Sequence, residues 1–387
     1  MDFTWGADVE ALRREVQAFL AEHLTAELED RLYETGTSHD DAFARALGER
    51  NWIAPQWRGD GGGDGALDPT HAHVLEEELT RADAPIYAVW TSTMVGRVIA
   101  SVGGEELRSE ILPKVASGEV TIALGMTEPD AGSDVAAVQT RARRVEGGWV
   151  IDGQKMFTTN AHVADHVFLL ARTDPGSERH RGLTTFLVPL DLTGVEVRAV
   201  HTLSGERTNI TYYSDVFVED RWRIGEVGAG WRSLMLALQD EHSAPFSPHL
   251  ERLLDEAERW AAERGPNGSP PIERDDVRLR LVRAATDLEV ARLLEARTTW
   301  MEANGEVPVA EGPMSKLFST EALVRHAEGI TALLGPDALR SRSDPTAVAG
   351  GRLEHSLRFS LGTTIYAGTS EVQRNIIAQR RCGLPRS

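Results

Sequence analysis

The spacing of hydrophobic residues changes twice along this chain. In the first 118 residues, hydrophobic positions recur at intervals of three and four, which predicts α-helices. From about residue 119, short runs rich in β-branched and aromatic residues alternate with turn residues, which predicts strands. The helical spacing returns near Gly230 and continues almost to the C-terminus. One predicted helical face carries Val9, Leu12, Val16, Phe19 and Leu20, and further helices are predicted at about 40–51, 69–82 and 88–102.

These changes predict an α+β fold that is mainly α-helical and has three parts. They are an N-terminal helical domain at 1–118, a middle antiparallel β domain of barrel or sandwich type at 119–222, and a C-terminal helical domain at 223–387. Turn-rich segments at 264–271 and 334–351 separate the long helices of the last domain. The predicted strands lie within VTIALGMTE, WVIDGQKMFTT, DHVFLLART, LTTFLVPL, VEVRAV and TYYSDVFV.

A glycine-rich segment, WRGDGGGDGALDP, occupies residues 57–69. Its glycines allow two interpretations, a phosphate-binding loop or a surface turn. A phosphate-binding loop follows a buried strand and opens a helix, and the sequence shows no strand before this segment. Gly and Asp tolerate the positive φ that turns use, so the sequence favours a surface turn between helices.

The charge balance is strongly acidic, since 41 Lys and Arg oppose 60 Asp and Glu for a net charge of −19. An acidic chain without a long basic block lacks the main electrostatic contribution to DNA or RNA binding, so nucleic acid is not an expected partner. The single cysteine, Cys382, can form neither an intrachain disulfide nor a cysteine zinc site. The histidines show no metal-ligand spacing, so no metal is expected.

No hydrophobic run approaches the ~18 residues that would span a bilayer. The opening sequence MDFTWGADVEALRREVQ carries acids and has no apolar core of a signal peptide. The sequence therefore predicts a cytoplasmic protein without a membrane segment.

Three segments, supported by two weaker matches, carry a family resemblance. The segment IALGMTEPDAGSD at 122–134, followed by VIDGQKMFTTNAHVAD at 150–165, resembles the flavin-binding motif of the acyl-CoA dehydrogenase family. IYAGTSEVQRNIIAQR at 365–380 resembles a second motif of that family. Weaker matches lie at 103–119 and 225–241, and all of these segments occur in the family's order along the chain. The resemblance implies a three-domain fold ending in a four-helix bundle, FAD between the β domain and the C-terminal helices, and α,β-dehydrogenation of an acyl-CoA. It also implies an electron-transferring flavoprotein as electron acceptor.

The resemblance assigns contacts residue by residue. The Thr127 hydroxyl can bond the edge of the isoalloxazine, and Gly132 allows close backbone approach. Phe157 stands where the family more often has Trp, so stacking is kept and an indole donor is lost. Without the resemblance, the same residues would be a strand end, a turn and β-domain core. The implied flavin contacts are Leu124, Met126, Thr127, Gly132, Ser133, Phe157, Thr158, Thr159, Arg264, Thr369 and Glu371, and the implied substrate contacts are Ser133 and Gly368.

The catalytic base is the main departure from the family pattern. Many members carry their glutamate where this chain has Ala367, which cannot abstract a proton. A minority, including isovaleryl-CoA and long-chain-type dehydrogenases, place it on the first C-terminal helix, where this chain has Glu241. The spacing of Trp231, Leu234, Leu238 and Glu241 puts the carboxylate at the end of one apolar helical face. Burial there would raise its pKa toward the range of a general base.

Glu241 is thus the predicted base, and a solvated helical acid is the alternative, because Pro245 and Pro248 would bend or end the helix. His242 follows where the family usually has Arg, which makes it a candidate acid–base partner. The family's Arg-x-x-Phe-Gly survives only as Arg264 and Gly268. Such losses resemble the actinobacterial acyl-CoA dehydrogenases of steroid side-chain breakdown, in which two different chains share FAD sites.

Three functions follow from these observations. The first is FAD-dependent dehydrogenation of a branched or bulky acyl-CoA by a homo-oligomer or by a heterotetramer with a second acyl-CoA dehydrogenase chain. The second is an oxidase or monooxygenase on the same fold, or an enzyme of a carrier-protein thioester, since fold alone does not separate these chemistries. The third is a base-deficient structural subunit that completes another chain's site. Ala367 favours the third function, and Glu241 with the intact TEPDAGSD motif disfavours it.

Overall fold

The computed structural model describes residues 3–53, 67–177, 179–241, 245–263 and 268–385, without the side chains of residues 239–241. Within these residues, six α-helices precede eight strands, and six further α-helices follow. This order confirms the predicted succession of helical, β and helical parts. Residues 57–66 of the glycine-rich segment lie outside the described residues, so its predicted turn stays a prediction.

The first part of the chain is a packed group of helices. The predicted face of its first helix is confirmed, because all five of its hydrophobic residues are buried. The helix that follows the glycine-rich segment begins with Pro69, and the Asp68 carboxylate caps it by accepting from Thr70 N at 2.8 Å. The helices are α1 (Ala7–His23), α2 (Ala26–Thr35), α3 (Asp41–Glu49), α4 (Pro69–Arg81), α5 (Tyr87–Val102) and α6 (Glu105–Ala116).

The middle of the chain forms one eight-stranded sheet. Its strands are β1 (Ile122–Gly125), β2 (Arg141–Val145), β3 (Gly148–Lys155), β4 (His166–Arg172), β5 (Leu183–Pro189), β6 (Val195–His201), β7 (Arg207–Glu219) and β8 (Arg223–Ile224). They are ordered β6-β7-β3-β2-β4-β5-β8, with β1 also paired to β4. The predicted antiparallel pairing holds for most neighbours, but β1 and the first residue of β2 pair with β4 in parallel. The sheet is therefore mixed. After β1, the chain forms the antiparallel β2–β3 hairpin and then runs along β4 in the same direction as β1.

Two strands were not predicted, β2 and the two-residue β8. Only Ala142 of β2 is fully buried, and the arginines of this strand hide its alternation. A two-residue turn, Glu146-Gly147, joins β2 to β3, and Gly147 takes the positive φ of +78° that such turns require. The turn residues were therefore the better signal for this hairpin than the hydrophobic pattern.

The helix α7 (Gly230–Glu241) packs on the sheet and on α5. Its residue Leu234 is fully buried in a cluster with Leu170 and Leu183 of β4 and β5. At Gly230, an added Cβ would lie 2.7 Å from backbone atoms of Thr184, so the helix can begin this close to the sheet only with glycine. This packing fixes where the C-terminal end of α7 lies.

The last part is a helical bundle, as predicted. Four helices, α8 (Ser247–Ala262), α9 (Asp275–Ala303), α10 (Glu311–Leu334) and α11 (Arg352–Thr363), share one buried hydrophobic cluster. Each contributes apolar side chains at helical spacing, which is how amphipathic helices form a common core. A final helix, α12 (Ser370–Arg380), packs against α10.

Candidate active site

The loop after β1 carries the predicted flavin contacts, and a buried ion pair supports it from behind. The Lys155 ammonium lies 2.8 Å from Glu128 Oε1 and donates to the carbonyl oxygen of Met126 at 3.2 Å. Glu128 also accepts from the backbone N–H groups of Gln139 and Thr140, at 2.6 and 2.9 Å. These bonds hold both ends of the Thr127-containing loop against β2 and β3.

The two charges of this pair depend on each other. Burial lowers the pKa of Lys155 to about 8, although the charge of Glu128 acts to raise it. Burial acts to raise the pKa of Glu128, but the charge and hydrogen bond of Lys155 keep it below its ordinary value. Sequence reasoning missed both residues; the only signal was a lysine within a predicted strand.

The front of the same loop is open. Leu124, Met126 and Thr127 are half-buried, and Gly132 and Ser133 are exposed. A Cβ added at Gly132 would meet no atom of the described chain within 4 Å, so the chain itself does not require glycine there. The open space beside Gly132 is instead where a ligand can approach the backbone.

Phe157 lies beside this loop with its ring turned outward. It has a φ of +56° and is 56% exposed, so the alternative that it is β-domain core is wrong. Its neighbour Thr158 is buried and held by two hydrogen bonds with Asn209. Thr158 N donates to the Asn209 carbonyl at 2.8 Å, and Asn209 Nδ2 donates to the Thr158 carbonyl at 3.0 Å. Thr159 shares a 3.0 Å hydroxyl contact with Thr208. The strained conformation is thus held by its neighbours and presents an aromatic face.

The N-terminus of α12 carries the second group of predicted FAD contacts. Thr369 caps it, because its hydroxyl accepts from Val372 N at 3.2 Å. The Lys316 ammonium donates to the Gly368 carbonyl at 2.7 Å, which holds the preceding turn on α10. Ser370 Oγ and Gln373 Oε1 are buried and have no hydrogen-bond partner among the described residues. Glu371 is exposed in the first turn.

Two successive residues before this helix have positive φ, Ala367 at +53° and Gly368 at +77°. The family's usual base position is therefore a strained turn with a methyl side chain. Tyr366 precedes it, and the ring of Phe246 lies 6.4 Å from the Tyr366 ring. Phe246, at the start of α8, thus lies beside the residue that precedes Ala367.

The helix α7 ends at Glu241, whose side chain is not among those described. The face predicted for it is supported upstream, where Leu234 is fully buried and Trp231 and Leu238 are half-buried against the same cluster. His242 and Arg264 lie outside the described residues. Their roles, like that of Glu241, stay predictions.

A cleft lined by arginines opens next to Ser133. It has a volume of about 420 Å³ and is lined by Arg141, Arg172 and Arg179 together with Asp134. Arg172 also supports its floor, since it donates to the Ala136 carbonyl at 2.9 Å. Arg179 pairs with Asp134 at 3.1 Å. Three cations against one acid make this cleft locally positive on an acidic protein.

The residues present fit an FAD. The buried Ser370 hydroxyl at the N-terminus of α12 lacks a partner that a phosphate oxygen would supply. The exposed ring of Phe157 offers an aromatic face to the isoalloxazine, and the open side of Gly132 lets the same ring system approach the Gly132 backbone. In the described part of the chain, no group of three His, Cys, Asp or Glu side chains is arranged to hold a metal, and no helix is long and apolar enough to cross a membrane.

The chain matches three domain families over most of its length. They are the N-terminal, middle and C-terminal domains of acyl-CoA dehydrogenase, matched at residues 6–119, 123–218 and 228–381. Fold and matches together define an oxidoreductase of a flavoprotein class. The chain belongs to the acyl-CoA dehydrogenase family.

Individual relatives are similar over the whole chain. Acyl-CoA dehydrogenase FadE26 of Mycobacterium tuberculosis is 32% identical to this chain, and the alignment covers 100% of each of the two chains. The solved structure of the Tcur3481-Tcur3483 steroid ACAD, an acyl-CoA dehydrogenase, is 31% identical, with a TM-score of 0.92 and 100% coverage of both chains. The ChsE4-ChsE5 complex from Mycobacterium tuberculosis gives the same identity, TM-score and coverage.

Proposed function

We propose that the protein dehydrogenates an acyl-CoA thioester between Cα and Cβ, with FAD as cofactor and Glu241 as catalytic base. The observation that carries this proposal is the contact between Phe246 and Tyr366, whose rings are 6.4 Å apart. It brings Phe246, at the start of α8, beside Tyr366, which precedes Ala367, the position where the usual base is missing. A carboxylate at the end of α7 can therefore serve the reaction that Ala367 cannot.

The reaction removes two hydrogens from the acyl chain. Glu241 accepts the Cα proton, and the C–H electron pair forms the new double bond as hydride leaves Cβ. Bound FAD supplies the hydride acceptor. Donors that polarise the thioester carbonyl make the Cα proton more acidic, so the base and the carbonyl contacts act together.

The chain offers a place for each part of the cofactor. The loop from Leu124 to Ser133 and the ring of Phe157 would hold the isoalloxazine, with Thr158 and Thr159 fixing that ring. The N-terminus of α12, with Thr369 and the unpartnered Ser370 hydroxyl, would hold the diphosphate. Glu371, in the first turn of α12, is also a proposed FAD contact. Arg264 is a further proposed FAD contact.

The arginine cleft beside Ser133 is proposed to bind the phosphates of coenzyme A. It is lined by Arg141, Arg172 and Arg179 and adjoins the substrate contact Ser133. A net charge of −19 repels an anionic ligand at long range. Close cations in a concave site outweigh that repulsion because they are less screened than distant charges.

A branched or bulky acyl group is proposed, in keeping with the similarity to a steroid ACAD. Gly368 and Ser133 are proposed contacts of the thioester end. The acceptor of the electrons is proposed to be an electron-transferring flavoprotein. The proposed location is the cytoplasm.

An assembly with another acyl-CoA dehydrogenase chain is proposed because the chain exposes an apolar helix face. On α9, Leu279, Val282, Val290 and Leu293 are exposed and lie within about one third of the helix circumference. The altered Arg264–Gly268 segment and the similarity to the ChsE4-ChsE5 complex favour a second, different chain. A homotetramer of this chain alone, saturated with one FAD per subunit, would contradict the heteromer.

The experiment is anaerobic mixing of the FAD-loaded protein with straight, α-branched and sterol-derived acyl-CoAs. We expect bleaching of the flavin by the branched or sterol-derived compounds, followed by slow reoxidation in air and fast transfer to an electron-transferring flavoprotein. Bleaching only by straight medium chains would contradict the bulky substrate. Rapid reoxidation by oxygen with ligand bound would favour the oxidase, and a colourless protein with no bleaching would favour the structural subunit.

A further inference from the structure

Phe157 keeps its strained conformation because the residues on both sides of it are anchored. Met156 N donates to the Thr127 carbonyl at 2.8 Å, which joins this segment to the loop of the proposed flavin contacts. On the other side, Asn209 Nδ2 donates to the Thr158 carbonyl at 3.0 Å. The second anchor is a side-chain amide, so it depends on how that amide is oriented.

The neighbours of the Asn209 amide determine its orientation. Asn209 is completely buried, and its Oδ1 lies 3.1 Å from Arg207 Nε, which can only donate. Nδ2 therefore faces the Thr158 carbonyl, which can only accept. The second hydrogen on Nδ2 is donated to His162 Nδ1, which lies 3.2 Å away. Each polar atom of this buried amide thus has a partner.

This arrangement also defines the state of the His162 ring. Nδ1 accepts from Asn209, so the proton of the neutral ring is on Nε2. Nε2 lies 2.9 Å from Thr37 Oγ1 and therefore donates to this hydroxyl. Burial lowers the pKa of His162 to about 4, and the charges of Arg207 and His39 act in the same direction. A charged ring would place a second donor against Asn209 Nδ2, so the neutral ring is the one that fits.

His162 also connects this segment to the N-terminal helical part. Thr37 belongs to the loop between α2 and α3, residues 36–40. The same loop makes a second contact, since Asn160 Nδ2 donates to Ser38 Oγ at 3.2 Å. Asn160 is buried and has a φ of +61°, so another strained residue of the segment is held from this loop. The segment is therefore fastened to β7 and to the loop between α2 and α3.

Both nitrogens of His162 are used, although the side chain is only half-buried. A residue that merely filled the contact between α2–α3 and the sheet would need neither nitrogen. Without an acceptor at the position of Nδ1, a buried N–H of Asn209 loses its partner, which is costly. This cost favours rotation of the amide, and rotation would remove the donor from the Thr158 carbonyl.

We infer that His162 is a positioning residue for the flavin, because it acts through Asn209 and Thr158 to keep the ring of Phe157 in place. The inference rests on the proposed binding of FAD against Phe157 and adds a residue that acts on this contact from behind. The acceptor at Nδ1 is the essential feature. The Nε2–H donor joins the same ring to Thr37.

The test compares His162→Leu, which removes both nitrogens, with His162→Asn, whose Oδ1 can take the place of Nδ1. Calorimetric titration of the full chain, freed of FAD, gives the Kd for FAD, and visible circular dichroism reports the surroundings of the bound flavin. We expect His162→Leu to raise this Kd about tenfold or more and to change the dichroism band. His162→Asn is expected to keep the band and a Kd within about threefold of wild type.

A double-mutant cycle with Phe157→Leu separates positioning from general stabilisation. If His162 acts through Phe157, adding His162→Leu to Phe157→Leu should change the Kd for FAD by no more than about threefold. An equal effect of His162→Leu with and without Phe157 would overturn the inference. His23→Leu, at the half-buried end of α1, is the control and should leave the Kd and the dichroism band unchanged.

Nitrogen-15 NMR of the histidine-labelled wild type reads the ring state whether or not His162→Leu folds. At pH 7 we expect the His162 signals, assigned by their loss in His162→Asn, to show a bare Nδ1 and a protonated Nε2. A proton on Nδ1 would overturn the inference. A wild-type Kd in His162→Leu would also overturn it and would leave the proposed function standing. If the wild type binds no FAD, the proposed function fails, and the inference fails with it.

Discussion

The Lys155 ammonium lies 2.8 Å from Glu128 Oε1 inside the β domain, where the Lys155 side chain is fully buried. The same ammonium bonds the Met126 carbonyl, so one side chain connects the end of β3 to the loop that carries the proposed flavin contacts. A buried pair of this kind contributes most through the cost of breaking it, since removal of one partner leaves an uncompensated charge.

Lys155→Met is therefore expected to destabilise the protein by a few kcal/mol and to weaken FAD binding. The methionine fills a similar volume but leaves Glu128 buried without its cation. Urea unfolding of the apoprotein and titration with FAD measure the two effects. Lys114→Met, at an exposed lysine of α6, is the control. Wild-type stability and wild-type FAD affinity in Lys155→Met would contradict the supporting role.

Glu295 should make stability depend on pH. It accepts from Phe246 N and Ser247 N, each at 2.8 Å, and burial raises its pKa to about 7 against these hydrogen bonds. The native protein then holds this proton more tightly than the unfolded chain, so the Glu295 contribution to the free energy of unfolding falls as pH rises from about 4.5 to about 7.

Glu295→Gln removes this titration. The free energy of unfolding of the wild type minus that of the variant is expected to decrease between pH 5 and 8 by at most on the order of 3 kcal/mol. Denaturant titrations across this range measure the difference, with Glu289→Gln on the same helix as control. Curves for wild type and Glu295→Gln that stay parallel at every pH would show that Glu295 does not titrate there.

The cap of α12 gives a third prediction. Thr369→Ala removes the hydroxyl that accepts from Val372 N and should cost about 1 kcal/mol of stability, with weaker FAD binding because the helix start is less ordered. Thr369→Ser keeps the hydroxyl and should retain both properties. Calorimetry of FAD binding distinguishes them. Equal affinities of the alanine and serine variants would argue against this helix start as the diphosphate site.

The arginine cleft gives a fourth prediction. Arg141→Gln combined with Arg179→Gln should raise KM for acyl-CoA roughly tenfold or more and reduce its dependence on salt, because two cations near the coenzyme A phosphates are removed. Arg198→Gln, on the edge strand β6, is the control. The readout is kcat and KM at low and high ionic strength. An unchanged KM would place the phosphates elsewhere.

The sequence predicted much of this fold because its signals are local. The hydrophobic face of α1 depends on residues three or four apart, and it is found as expected. The strand β2 was missed because a single buried residue, Ala142, carries its pattern. The Lys155–Glu128 pair joins residues far apart in the chain, and their spacing contains no sign of the contact. Packing decides such contacts, so only the structure shows them.

The base assignment is the central claim, and substitution of Glu241 tests it most directly. We predict that Glu241→Gln binds FAD and acyl-CoA with near wild-type affinity but reduces the flavin at least about a hundredfold more slowly in anaerobic single-turnover mixing, because the amide cannot accept the Cα proton. Asp240→Asn, one residue earlier, should reduce at the wild-type rate. Flavin reduction by Glu241→Gln at a near wild-type rate would contradict the account.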